Sequence, residues 1–430
     1  MNIKIKNFGA IVDADVKLDG ITVICGDNNT GKSTVGKALF AFYNLLYDLN
    51  NKITSIKTSQ IRKFLSPYAF SLDERNEYRF RNDEDLEEFP FDGKISVDEL
   101  KNYIDKHIEF STGKKVTKKS LIPLADALNV PVSEIVNELA LRNFNSVMNG
   151  QIKNINNPNK DGSITVAFSQ RIDDNQNTIS FTESTCNCDK IEVPIHHAAY
   201  YIRNPFVLDW LNNLNRTNVL GSMNPMDRNT VRAIVQTQDD INDNPIINVI
   251  DSVRYKNELE SIRKIIKRAY TGNTVIDNGR YFYIENGKKI DFRNLSGGLK
   301  SFALIERMLA IGVLKKEDIL ILDNPETYLH SEWQIIYAEL IVILQKHFDL
   351  TILIVTHSFQ FLESLNFFMK KYEIFDKVNY YIPERTDKGV VMKSYDNNSG
   401  ELKKNLSKGT FKIADLEYEF DMEQTEEDWM

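Results

Sequence analysis

The sequence predicts an α/β fold in which a largely parallel sheet is assembled from both ends of the chain, with a large mixed α+β insertion between them. Three observations carry this. Near the start, "ITVICGDNNTGKSTVGKALFAFYNLL" reads as a buried strand, a Gly-bounded loop and a helix. Near the end, "DILIL", a helix from about Ser331 to His347, "LTILIV" and a helix from about Phe359 to Lys371 alternate, as strands covered on both faces do. Between these halves lie about 240 residues of a different texture.

Each segment has its own signal. Residues 3–8 and 12–18 alternate as two strands of a hairpin, and a helix is expected from about Ser33 to Leu49; together, residues 1–49 form an N-terminal half. Residues 50–160 are expected to be a mainly helical insertion or lid. There, Ser96 followed by Val97, Asp98 and Glu99 makes a capping box for a helix reaching about Glu109. "KKSLIPLADALNVPVSEIVNELALRNF" reads as two or three short helices, with Pro131 near a helix start. Residues 161–290 mix several strands (163–203), an amphipathic helix (about Pro245 to Tyr270) and the meander "NTVIDNGRYFYIENGKKIDF" with Asn-Gly turns. Residues 291–371 form the C-terminal half, and 372–430 add strands and an acidic tail.

Composition narrows the function classes. The chain has 430 residues with 42% hydrophobic and 27% charged, ordinary for a globular protein. No apolar run approaches the ~18 residues of a membrane span, and the start lacks the apolar core of a secretory signal, so a cytoplasmic protein without a membrane partner is expected. The net charge of −8 equals the eight acids of residues 415–428, "DLEYEFDMEQTEED"; the remaining residues balance. That tail reads as a solvated or edge-strand terminus, or as a strip that docks on a sheet edge or basic groove. Cys25, Cys186 and Cys188 do not suggest a disulfide framework. The one-residue spacing of "CNC" suits a zinc site poorly, even with His196 and His197 nearby, so these residues are read as structural.

Four motifs carry chemistry. In "GDNNTGKST", Gly26, Asp27, Asn28, Asn29, Thr30 and Gly31 supply a loop whose backbone N–H groups can curl round phosphates. Lys32 neutralises the outer phosphates, Ser33 offers a hydroxyl to Mg2+, and Thr34 continues into the helix whose positive end faces the anion. "LSGG", Leu295 to Gly298 through Ser296 and Gly297, opens a second helix with exposed backbone donors, a second anion site. Asp323 ends the strand of "ILILDNPETYLH", where a carboxylate can hold magnesium. His357 ends "ILIVTHS", where it can contact a terminal phosphate or support a water.

In this order, the four motifs resemble the ABC-type ATPases, closely over residues 1–49 and about 290–371 and loosely between. The resemblance implies a P-loop NTPase head binding ATP and Mg2+, with Lys32 and Ser33 as Walker A contacts and Ser33 and Asp323 at the metal. It also implies Leu295–Gly298 as the signature that meets the partner subunit's ATP, and His357 as the switch histidine. It further implies a homodimer, or a higher even-numbered oligomer, joined through nucleotide. The long gap between Lys32 and Ser296 is similar to the split heads of the SMC and RecF-type branch. "DNPETYLH" looks closer still to OLD-family and related defence ATPases, in which the strand usually ends Asp-Glu-Pro-Glu.

Two departures from that pattern matter. Asn324 stands where the glutamate that activates water is expected; an amide can hydrogen-bond water but cannot take its proton. Glu326 either reaches the site in its stead or caps the next helix. The expectation is a slow ATPase. Second, about sixty residues follow the last core helix, without the metal-binding acids of a nuclease module, so an effector (nuclease or toxin) would be a separate partner, with DNA repair or anti-phage defence as the setting. A nucleic-acid-binding regulator using residues 121–144 as a helix-turn-helix is the alternative, and a transporter ATPase subunit is a third reading. Gln170 is the one candidate for a Q-loop.

Overall fold

The computed structural model describes residues 1–65, 78–80, 93–110, 116–168, 175–182, 184–213, 219–235, 256–277 and 280–395. Gln170, residues 245–255 of the expected amphipathic helix and the acidic tail lie outside them.

Sixteen strands are described. β1 (Asn2–Phe8), β2 (Ile11–Lys17) and β3 (Ile21–Cys25) open the chain; β4 (Tyr78–Phe80) and β5 (Ile108–Phe110) pair with each other. β6 (Gly162–Ala167), β7 (Gln176–Phe181), β8 (Cys186–Ile191) and β9 (Ala199–Ile202) follow. β10 (Asn273–Asp277), β11 (Arg280–Glu285) and β12 (Lys288–Asp291) make the expected meander, and its described turn is Asn286-Gly287, both at positive φ. β13 (Ile319–Asp323), β14 (Thr351–Thr356), β15 (Val378–Thr386) and β16 (Gly389–Tyr395) complete the set.

Eleven of these form one sheet in the order β8-β7-β6-β1-β2-β16-β15-β3-β14-β13-β9. The expectation of a largely parallel sheet needs correction. β15, β3, β14, β13 and β9 are parallel, but β8 through β2 form an antiparallel wing, joined through the β15–β16 hairpin. Short connections favour antiparallel neighbours, and that is how β1–β2 and β6–β8 are linked.

Side chains of the parallel strands alternate between two cores. Leu320, Leu322, Ile352 and Ile354 face one, and Ile319, Ile321 and Leu353 face the other. All are 2% exposed or less, so truncating one, as in Leu322→Ala, costs about 2–5 kcal/mol. Helix α1 (Lys32–Leu46) covers one face. Its end is capped from α2 (Leu49–Leu65), where Lys52 Nζ donates to the carbonyls of Asn44 (2.6 Å) and Tyr47 (2.5 Å). α2 packs with α3 (Val97–His107) and α4 (Lys118–Leu128) around a small separate core that includes Ile61, Leu100, Ile104 and Leu121. The Ser96–Glu99 capping box is present at the start of α3. α5 (Val132–Met148) follows the turn of the helix-turn-helix-like stretch and lies against the head: Asn143 donates to the Ala41 carbonyl, and Asn137 accepts from Cys188 N–H. Cys186 and Cys188 are buried free thiols. Among the described residues no helix is long and apolar enough to cross a membrane.

Candidate functional site: a phosphate loop and the strand ends beside it

Because β3, β14, β13 and β9 run parallel, their C-terminal ends share one edge of the sheet, where ligands of α/β folds collect. The loop after β3 carries residues 26–31. Gly26 (φ 146°), Asn29 (φ 60°) and Gly31 (φ 76°) bend it through conformations open mainly to glycine and tolerated by asparagine. Thr30 Oγ1 donates to the Asp27 carbonyl, and Arg385 of β15 donates to that of Asn29 at 2.6 Å. Pro383 sits against Gly26, beyond the last β15–β3 pair, where a missing N–H costs no ladder bond. Lys32 is 6% exposed, with Nζ donating to the carbonyls of Gly26 (2.9 Å) and Asp27 (2.6 Å). Burial lowers its pKa, while the nearby Asp323 and Asp27 oppose that shift.

At the tip of β13, Asp323 is 9% exposed and gathers three groups. Ser33 Oγ donates to Oδ1 at 3.0 Å, across 290 positions of sequence. Asn324 Nδ2 donates to Oδ1 at 3.2 Å, and Tyr201 OH to Oδ2 at 2.6 Å. Asn324 lies in the left-handed region (φ 51°) and turns its amide oxygen to His357 Nδ1 at 3.0 Å. With Nδ2 committed to Asp323, the imidazole is the donor in that bond.

Glu326 is 5% exposed. Its Oε1 accepts from Thr356 Oγ1 (2.6 Å) and from His357 N–H (3.3 Å), and lies 3.8 Å from His357 Nδ1; its buried Oε2 has no hydrogen-bond partner. The next helix, Ser331–Phe348, begins at His330 without a side-chain cap, so Glu326 is turned to the β14 tip instead.

Ser296 accepts from Leu299 N–H at the start of the helix Gly297–Ala310, and Leu295 is buried. A Cβ on Gly297 would come within 2.9 Å of Tyr328 Cβ, and one on Gly298 within 2.9 Å of the Trp333 ring and 3.0 Å of the Tyr328 carbonyl. Close packing therefore demands both glycines. It ties the "LSGG" turn to the loop after β13.

Beside the phosphate loop opens a cleft of about 600 Å3, lined among others by Asn29, Thr34, Lys37, Asn154 and Arg385. This is the size of a small-ligand pocket. The structure thus brings residues 26–34, Asp323, Asn324, Glu326 and His357 to one edge.

Sequence reasoning missed Tyr201, Thr356 and Arg385. Tyr201 had a signal, since it stands near the end of the apolar run "HHAAYYI". Arg385 had none.

Ser33 and Asp323 are hard oxygen donors of the kind magnesium takes, one or two from protein and the rest from phosphate and water, so they fit that ion. Among the described residues no cluster of three or more His, Cys, Asp and Glu could hold a metal by itself.

Among solved structures, an SMC head bound to the C-winged helix domain of ScpA aligns at 12% identity over 92% of this chain and 97% of that one, TM-score 0.46. An SMC head domain from Thermotoga maritima aligns at 10% identity, 92% and 98% coverage and TM-score 0.37. An Smc head domain with an extended coiled coil bound to the C-terminal domain of ScpA, derived from Pyrococcus furiosus, gives 11% identity, 97% and 98% coverage and TM-score 0.39. No curated protein sequence matches the chain. The AAA ATPase domain family matches residues 1–362, a span holding the phosphate loop, "LSGG", Asp323 and His357, and the chain belongs to that family.

Proposed function

We propose that the chain is a slow, magnesium-dependent ATPase of the ABC type whose ATP-bound form pairs with a second copy and controls a separate effector. The observation that carries this reading is the 3.0 Å contact between Ser33 and Asp323 beside Lys32, because a metal-triphosphate clamp needs these three groups together and distant sequence supplies them.

In this mechanism, the loop N–H groups and the helix α1 N-terminus bind the phosphates, and Lys32 exchanges its two backbone carbonyls for outer phosphate oxygens. Ser33 and Asp323 would hold the magnesium, which would neutralise charge on the terminal phosphates. The cleft lined by Asn154 and Arg385 takes the nucleoside end. Water attacks the γ-phosphorus, the bond to the β–γ bridging oxygen breaks, and the water's proton passes to the Glu326 carboxylate. Asn324 holds His357 and Asp323 in place and takes no proton. Because the amide of Asn324 accepts no proton where the base is usually found, hydrolysis is slow and the ATP-bound form is long-lived.

The "LSGG" helix start, with the backbone N–H groups of a helix N-terminus, is the surface offered to the partner copy's ATP. Its contact with Tyr328 links that surface to the loop carrying Glu326. DNA repair or anti-phage defence, with a nuclease or toxin as effector, is the setting that the motif spelling "DNPETYLH" supports. The packing of α5 on the head, with Glu134 and Glu138 exposed, favours a lid over a DNA-reading helix.

The test is a titration of ATP·Mg2+ by calorimetry, followed by turnover and light scattering. Wild type should bind, hydrolyse weakly and double its mass with ATP; Lys32→Ala should lose all three. Absence of binding by the wild type ends the proposal.

A further inference from the structure

We infer that Tyr201 is a positioning residue for the metal-binding carboxylate, its hydroxyl holding Asp323 so that Oδ1 faces Ser33; the inference rests on the ATPase reading above. Tyr201 is 1% exposed and lies near the end of β9, beside β13, with OH donating to Oδ2 at 2.6 Å. Ser33 and Asn324 both address the other oxygen. The carboxylate is thereby divided: one oxygen is committed to a fixed donor, and the other is left toward the hydroxyl that would share the ion.

The ring's seat is equally fixed. It meets Phe40 edge-on at 6.1 Å, and α1 approaches at Gly36, where a Cβ would lie 3.1 Å from the Tyr201 ring and 3.0 Å from Ile321. Apolar packing alone would be served by phenylalanine, so the hydroxyl needs its own explanation, and Asp323 provides it. The tyrosine also arrives from far away. Its carbonyl accepts from Thr230 of the helix Pro225–Val235, at 3.4 Å, so the region between the two halves of the head reaches the metal end through one side chain.

Hydrogen bonds to ligating groups that come from outside the coordination sphere tune metal affinity by about 10–100-fold. Tyr201→Phe removes one oxygen and keeps the ring. The experiment titrates magnesium into wild type and variant holding a fluorescent ATP analogue, after measuring the analogue's affinity in EDTA, and records the melting temperature of each. The expected result is unchanged affinity in EDTA and a half-maximal magnesium concentration raised about 10–100-fold. Gly36→Ala, which presses on the ring, should raise it in the same direction and decides the matter if Tyr201→Phe does not fold. Unchanged magnesium midpoints in folded variants that bind the analogue overturn the role of Tyr201 and leave the ATPase reading standing. Wild type that does not bind the analogue, or binds it without regard to magnesium, overturns both.

Discussion

Glu326→Gln separates a base from a strut. In the structure Oε1 carries both hydrogen bonds, from Thr356 and His357, and the buried Oε2 has no partner. Glutamine can keep Oε1 as acceptor and place its amino group where Oε2 stood. Two charge-assisted bonds become neutral ones, a loss of about 1 kcal/mol each. Removing a buried charge with one oxygen unpaired offsets that, because a desolvated carboxylate carries a penalty of several kcal/mol. The net change in stability is therefore within about 2 kcal/mol. A lost general base, by contrast, slows turnover by ~100- to 10,000-fold, which raises the barrier by about 2.7–5.4 kcal/mol. Single-turnover hydrolysis in a quench-flow instrument, alongside an ATP titration and a thermal melt, reads all three quantities. The expected pattern is a nearly unchanged melt, unchanged ATP affinity and a collapsed rate, with the paired ATP-bound form accumulating. Hydrolysis at the wild-type rate with ATP equally bound would refute the assignment of the proton to Glu326.

Gly298→Ala should lower the melting temperature and weaken ATP-driven pairing. The new methyl group meets Trp333 at 2.9 Å and the Tyr328 carbonyl at 3.0 Å, an overpacking cost of about 1–3 kcal/mol that exceeds the ~1 kcal/mol gained in helix propensity; a higher melting temperature would count against the tight contact. Lys52, whose pKa burial lowers to about 8 despite Asp48, should make stability depend on pH. The folded state gives up this proton more readily than the unfolded chain, so wild type gains stability relative to Lys52→Met as pH rises from about 8 toward 10.5, and a pH-independent difference would refute it.

Much of the site was legible because its parts are local. A strand, six loop residues and a helix declare a phosphate loop by themselves, while the acid and the histidine at the tips of "ILILD" and "ILIVT" take their meaning from the order of the motifs along the chain. What could not be read depends on residues meeting across the fold. Nothing around Tyr380 or Val391 tells that β15 and β16 lie mid-sheet between β3 and β2, because apolar strands carry no address for their neighbours. Asn324 is intermediate. The sequence shows a missing acid; only the backbone shows φ 51°, a conformation that asparagine tolerates and that costs most other residues about 1–2 kcal/mol. Restoring glutamate there would add strain along with a base.

The β15–β16 hairpin sets an order of events during synthesis. Among the described strands, residues 378–395 join the antiparallel wing to the strand that bears the phosphate loop, yet they leave the ribosome after every other strand described. A nascent chain lacking them holds two half-sheets with raw edges, Pro383 absent from Gly26 and Arg385 absent from Asn29. A chain broken off before this seam closes would expose the edges of β2 and β3, which is an aggregation hazard.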